Sequence, residues 1–245
     1  MTRGKAGHYW RRTFPPAFKP FAVVLTASGT YSIPSGATAV KGWAVGAGGF
    51  QAAGGTAYKT FPQPFESTEF YFSIGSGWFA GTDTALTLGD VTITGEGGGK
   101  SFRSPGGYSG GDGGANGGLG GYFGIESPYL FNVGGSVGGG SDSDPNSSTE
   151  APPSNWSTST LRLPAIDVSG LLNAVALAGG KTVEDGGSVP AFGSGAGNRF
   201  NSNAGTGEVW SAGYGGGGVY SSGVEQPGGR GWIPGGDGAV VLYFT

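Results

Sequence analysis

Two short stretches place a lysine and a hydroxyl behind a glycine, Gly99-Lys100-Ser101 and Gly180-Lys181-Thr182. Such an ending suits a phosphate-cradling loop only if another glycine stands five positions before the second one, so that backbone N–H groups can wrap the phosphates. Those positions hold Thr94 and Val175, so both candidates fail. The stretch GSGWFA (75–80) follows a β-like run and imitates a dinucleotide loop, but TDTALTLGD behind it is no amphipathic helix. Nucleophilic catalysis needs a base beside the nucleophile. The one histidine is His8 and there is no cysteine, which also removes disulfides and thiolate metal sites. Glycoside hydrolysis needs two carboxylates facing each other across a sugar. Asp112, Asp142, Asp144, Asp167, Glu184 and Asp185 are available, but nothing in their spacing pairs them, and they read as solvated loop acids. GGANGGLGG (113–121) lacks the aspartate of the calcium-binding nonapeptide repeat. The expectation is a protein that is not an enzyme and has no cofactor and no metal site.

Binding chemistry remains. Tyr122, Phe123, Tyr129, Trp156, Phe200, Trp210, Tyr214, Tyr220 and Trp232 sit between glycine or polar runs, a placement that reads as loop rather than strand face. They either pack over thin glycine layers or offer large, rigid contact area with a polar handle. Arginine and tryptophan are typical anchors of an interface. The contact candidates are therefore Arg199 and Phe200 in GNRFNSN, Trp210 and Tyr214 in GEVWSAGY, Tyr220, and Arg230 and Trp232 in GGRGWIP, with Trp156 next. Charge is uneven: residues 1–65 hold seven Lys/Arg and no acid, the rest six Lys/Arg and all sixteen acids. Residues 1–20 read as an extended basic arm, with Arg3, Lys5, Trp10, Arg11, Arg12, Phe14 and Phe18 as docking candidates. Docking on an acidic partner protein, or plain solvation, fits that small patch better than nucleic acid does.

The elements that must position these residues are mainly β. Glycine makes up 56 of 245 residues, against an average of about 7%. Aromatics reach 13% and charged residues only 12%, the reverse of a disordered chain, so an ordered but unusual backbone is expected. No run of about 18 apolar residues is present to cross a membrane as a helix, so no membrane insertion is expected. Pro15, Pro16 and Pro20 interrupt what would be a signal peptide's apolar run, so secretion by that route is not expected. FAVVLTA (21–27), TAVKGWAV (38–45), STEFYFSI (67–74) and TALTLGDVTIT (84–94) carry strand signals, and Phe70, Phe72 and Ile74 alternate with Glu69, Tyr71 and Ser73. DGAVVLYFT (237–245) reads as a final strand with Val240, Leu242 and Phe244 on one face, and the N-terminal strands are its available partners.

A β base over 21–94, closed by the strand at 237–245, thus brackets a glycine-rich excursion over 95–236. The excursion contains a polar insertion at 141–160 and an apolar segment at 161–178 that could be helix or strand. Gly107, Gly110 and Gly113 are spaced by three, as are Gly111, Gly114, Gly117 and Gly120. Polyproline II has three residues per turn and no internal hydrogen bonds, so glycine along one edge lets neighbouring helices approach until their backbones bond. The repeat shifts phase too often for collagen. The expected excursion is a set of polyglycine or polyproline II helices joined by long loops, with little or no α-helix.

These residues resemble the glycine-rich domains of bacteriophage tail fibres and their tip adhesins. The likeness rests on GTYSIPSGATAVKGWAVGAGG (29–49), FYFSIGSG (70–77), TALTLGDVTITGEGGG (84–99) and GGDGAVVLYFT (235–245), and covers roughly residues 29–245. The insertion, the 161–178 segment and residues 1–20 depart from it. The resemblance implies a virion protein whose stacked polyglycine helices form a rigid platform and whose loops contact a receptor on the host surface, polysaccharide or outer-membrane protein. It also implies attachment to other tail proteins through the arm, as a homotrimer or a cap on one. The alternative is a purely structural minor virion protein, a capsid decoration or tail component.

Overall fold

Short runs of Val, Thr, Ile and aromatic residues favour a pleated, half-buried backbone, and the strands of the described residues are built largely from such runs. The structure is a computed structural model that describes residues 17–50, 52–99, 104–118, 121–126, 129–133, 197–201, 206–210, 214–220 and 232–245. Among the described residues the fold is all β, with no helix. The strands of the first part are β1 (Phe21–Leu25), β2 (Gly29–Ser32), β3 (Ala39–Val45), β4 (Thr56–Pro62), β5 (Glu69–Ser73), β6 (Thr84–Leu88), β7 (Val91–Gly95), β8 (Tyr108–Ser109) and β9 (Gly113–Ala115). Then follow β10 (Gly121–Glu126), β11 (Tyr129–Val133), β12 (Gly197–Asn201), β13 (Thr206–Trp210), β14 (Val219–Tyr220), β15 (Trp232–Ile233) and β16 (Ala239–Phe244).

Two five-stranded antiparallel sheets carry the core. Their orders are β1-β16-β3-β4-β9 and β2-β5-β6-β7-β8. The last strand returns across the whole chain to lie between β1 and β3, pairing Val23 with Leu242 and Trp43 with Val241. Alternation decides the inner faces. In β5, Phe70 and Phe72 are buried while Tyr71 between them is 55% exposed. Val40, Ala44, Ala57, Phe61, Val240, Leu242 and Phe244 of the first sheet meet Phe70, Phe72, Leu86, Leu88 and Ile93 of the second in one buried cluster. The two sheets are thus packed face to face. The other face of the first sheet is apolar too: Trp43, Val45, Ala239 and Val241 form a second cluster with Ala53. This explains why β16 reads as a nearly unbroken apolar run, since it is buried on both sides. The β6–β7 connection is a two-residue turn, Gly89-Asp90, with Gly89 at φ +57°, where a side chain would be strained.

The sequence reading is corrected in two places. TAYKTFP forms β4, a central strand that the run between Gly54-Gly55 and Pro62-Gln63-Pro64 does not announce. The excursion also contains strands of its own: a four-stranded sheet β10-β11-β12-β13 and the pair β14-β15. Tyr122, Phe123, Tyr129, Phe200, Trp210, Tyr220 and Trp232 therefore lie within strands, not between them as the surrounding glycine and polar runs suggest. The polar insertion at 141–160 and the segment at 161–178 lie outside the described residues.

Candidate functional site

The strand ends of the two sheets run on into glycine. Val45 of β3 leads into GAGGF (46–50), AAGG (52–55) enters β4, IGSG (74–77) leaves β5, Gly95 of β7 leads into EGGG (96–99), and PGGDG (234–238) enters β16. With almost no side chains to bury, these segments satisfy one another's backbone groups. Gly46 N donates to Gly55 O at 2.8 Å, Gly55 N to Glu96 O at 2.9 Å and Glu96 N to Gly107 O at 2.9 Å. Gly48 N donates to Gly236 O, Gly236 N to Gly216 O and Gly98 N to Ala47 O, each at 2.8 Å. The spacing leaves no room for a methyl group: a Cβ on Gly48 would overlap the Gly216 carbonyl, and one on Gly54 the Gly46 carbonyl. Close backbone approach, rather than apolar burial, is what glycine supplies here.

Oxygen side chains brace the segments where no carbonyl faces an N–H. Asp83 Oδ1 accepts from Gly97 N at 2.8 Å, Asp237 Oδ1 from Gly77 N at 2.7 Å, Glu96 Oε2 from Gly107 N at 3.1 Å and Thr84 Oγ1 from Gly75 N at 3.0 Å. Asp112, which the sequence leaves as a solvated acid, is a brace as well. Its Oδ1 lies 2.8 Å from Lys59 Nζ and its Oδ2 accepts from Thr60 N at 2.8 Å, while its own N–H donates to Tyr58 O. Burial acts to raise the Asp112 carboxyl, but the Lys59 hydrogen bond, the Thr60 N–H and the Lys59 charge outweigh it and hold the group below the usual aspartate value.

Large exposed aromatics stand on this scaffold. Trp78 is 69% exposed and Phe79 42%, five and six residues past the end of β5. Their loop is pinned on both limbs: Ser76 N donates to Thr82 Oγ1 at 2.8 Å, Thr82 N to Ser76 O at 3.2 Å, and Gly81 N to Gly98 O at 2.8 Å. Phe79 stacks on Phe50, with ring centroids 5.6 Å apart and planes 15° from parallel, and Phe50 N donates to Phe79 O. Trp78 is held through its backbone, its carbonyl accepting from Gly235 N at 3.4 Å. The sequence reading passed over this pair, although two adjacent aromatics between glycines in GSGWFAGT were a visible signal.

The residues singled out from sequence are partly brought together. Phe200 pairs with Leu130 on one side and Gly207 on the other, and Arg199 lies opposite Glu208. Trp210 pairs with Gly197 in that sheet, and Tyr220 lies opposite Trp232 in the β14–β15 pair. Tyr214 is 38% exposed at the turn before Gly215, whose N–H donates to Asp237 O. Trp156 and Arg230 lie outside the described residues, as do Arg3, Lys5, Trp10, Arg11, Arg12 and Phe14 of the arm. Phe18 is half-buried on the base, 6.0 Å from the Phe21 ring and over Gly36. Among the described residues no three His, Cys, Asp or Glu side chains gather as metal ligands would. Neither the known protein-family models nor the curated proteins yield a match to this chain.

Proposed function

We propose that this chain is a bacteriophage virion protein of the tail-fibre tip class, which attaches the particle to the host cell by binding and not by catalysis. One observation carries the reading: a scaffold of mutually bonded glycine segments presents Trp78 and Phe79 to solvent on a pinned loop. Recognition residues are placed on loops held by a stiff support, and adjacent exposed apolar side chains such as Trp78 and Phe79, unlike single ones, mark a contact surface. The resemblance of residues 29–245 to the glycine-rich domains of phage adhesins points the same way. In this reading the glycine segments are a platform of polyproline II-like helices, and the basic arm joins the protein to the rest of the tail.

The test is saturable binding of the purified protein to intact host bacteria, with a Trp78→Ala, Phe79→Ala double variant alongside. The expected result is wild-type binding and at least a tenfold weaker affinity in the variant, with cooperative thermal unfolding retained and its midpoint lowered by no more than a few degrees, since the variant also loses the Phe79 stacking on Phe50. Failure of the wild type to bind any strain that the phage adsorbs to would return the protein to the structural reading, a minor virion component whose glycine scaffold serves packing alone.

A further inference from the structure

We infer that the free edge of β1 pairs, antiparallel and centred on Val23, with β1 of a second copy of this chain, joining two five-stranded sheets into one. The inference goes beyond the adhesin reading and does not depend on it.

The two packed sheets have four edges, and three are blunted. β8 is two residues long, and β9 is three residues held at its start by the Asp112 brace to β4. β2 is four residues long and exposes Gly29, Thr30 and Ser32. β1 is different. Its five residues, FAVVL, are all apolar and all half-buried, whereas Val240, Val241, Leu242 and Phe244 beside it in β16 are fully buried. Phe21, Val23 and Leu25 pack on the core between the sheets, and Val24 on the second cluster. Both apolar layers thus run out to an open strand, the kind of edge that natural proteins otherwise shorten, charge or cover.

Backbone parity shows which groups point outward. Thr245 N donates to Ala39 O at 3.0 Å, and Thr245 O accepts from Ala39 N at 3.3 Å. In an antiparallel ladder both groups of a residue point to the same neighbour, and alternate residues point to opposite ones. Tyr243 and Val241 therefore bond toward β3. Phe244, Leu242 and Val240 bond toward β1, where they meet Phe21, Val23 and Leu25. That leaves the N–H and C=O groups of Ala22 and Val24 aimed away from the sheet, and no described residue bonds them.

A second copy fits this edge end to end. Pro20 has the same parity and no N–H, which ends the pairable stretch on one side, and the chain bends at Ala27 and Ser28 on the other. The midpoint of 20–26 is Val23. A two-fold axis there sets Ala22 against Val24 of the second copy and Val24 against its Ala22, so the outward groups of both chains are paired. The Thr26 N–H meets the one acceptor that Pro20 offers. Side chains match as well: Phe21 lies opposite Leu25 and Val23 opposite Val23, closing the open layer with apolar pairs. No charged residue stands between Lys19 and Lys41, so the two-fold brings no like charges together. Strand addition at a sheet edge is a general mode of association, and a partner strand carrying charge would find nothing here to pair it.

Sedimentation of the purified full chain over a range of micromolar concentrations reads the association. Wild type should shift from monomer to dimer as concentration rises. Ala22→Pro removes an outward donor and none of the bonds to β16, so it should stay monomeric with the circular dichroism of a folded β protein. Two cysteine variants test the register, because the chain has no cysteine of its own. At a non-hydrogen-bonded pair such as Val23 with Val23, the Cα atoms are about 4.5 Å apart, within disulfide reach. Two copies of residue 22 would sit diagonally, roughly 7–8 Å apart, past the usual disulfide span. Val23→Cys should therefore give a disulfide-linked dimer on mild oxidation, and Ala22→Cys should not. A wild type that stays monomeric throughout would overturn the inference, as would a dimer undiminished in Ala22→Pro. If Ala22→Pro does not fold, the cysteine variants decide. Linkage through neither of them, or through Ala22→Cys as readily as through Val23→Cys, would overturn the pairing.

Discussion

At Asp112 a carboxylate flanked by glycines holds the chain to β4, through Lys59 on one oxygen and the Thr60 N–H on the other. Its pKa lies below the ordinary aspartate value, so the contribution to stability is present above the unfolded-state pKa and is lost as pH falls through the folded one. The pair is part-exposed, with side-chain exposures of 25% and 40%, which keeps the effect small. Asp112→Asn should therefore lower the unfolding free energy at neutral pH by about 1 kcal/mol or less. The gap between the two proteins should close as pH drops below the usual carboxylate range, and urea melts at both pH values check it. No feature of GGDGG foretold this pairing, because Lys59 stands fifty-three residues away in β4. Trp78 was more accessible to sequence reasoning. Its neighbours Gly75, Gly77 and Gly81 signal a loop, and an adjacent aromatic pair in such a loop marks a contact surface, provided the stretch is judged by its side chains rather than tested only as a nucleotide loop.

Elements built from glycine behave differently from loops. The three-residue glycine spacing in 107–120 pointed to close backbone approach, and Gly106, Gly107 and Gly117 do join the bonded network. Much of that network, however, comes from 46–55 and 75–83, inside the region that the strand signals assign to the β base. Composition could not reveal this, because each of those glycine runs is short and sits between conventional strands. The close approach gives a direct test. Gly48→Ala and Gly54→Ala each force a Cβ onto a backbone carbonyl and should cost roughly 3 kcal/mol or more. Gly29→Ala is the control: its Cβ would meet only the tip of Phe72 at 3.8 Å, and stability should stay within about 0.5 kcal/mol. Equal melting temperatures for Gly48→Ala and wild type would mean that the segments are not packed backbone to backbone.

For the molecule as a whole, the most legible feature was the return of the C-terminal strand, because an apolar run after a long glycine-rich tract finds the clearest strand signals among the first strands. Its interior position between β1 and β3 is what joins the two ends of the chain. The alternation in FYFSI likewise identified Phe70 and Phe72 as core, and Phe70→Ala should cost about 3–5 kcal/mol in urea unfolding, since it empties the centre of the packed sheets. Less legible were β4 and the small sheets of the excursion, where β signals are diluted by glycine and the pairing partners lie tens of residues apart. Base and glycine scaffold are tied by bonds such as Gly75 N to Thr84 Oγ1 of β6 at 3.0 Å and Asp112 N to Tyr58 O of β4 at 2.8 Å, so they should open as one unit. Amide hydrogen exchange measured over 46–55, 75–83 and 95–99 tests this most directly. A scaffold able to present Trp78 rigidly predicts protection of Gly46, Gly55, Gly81 and Gly98 amides comparable to that of Val40 or Val241 in the sheets. Exchange of those glycine amides at the rate of an unstructured peptide, with the sheets still protected, would contradict it.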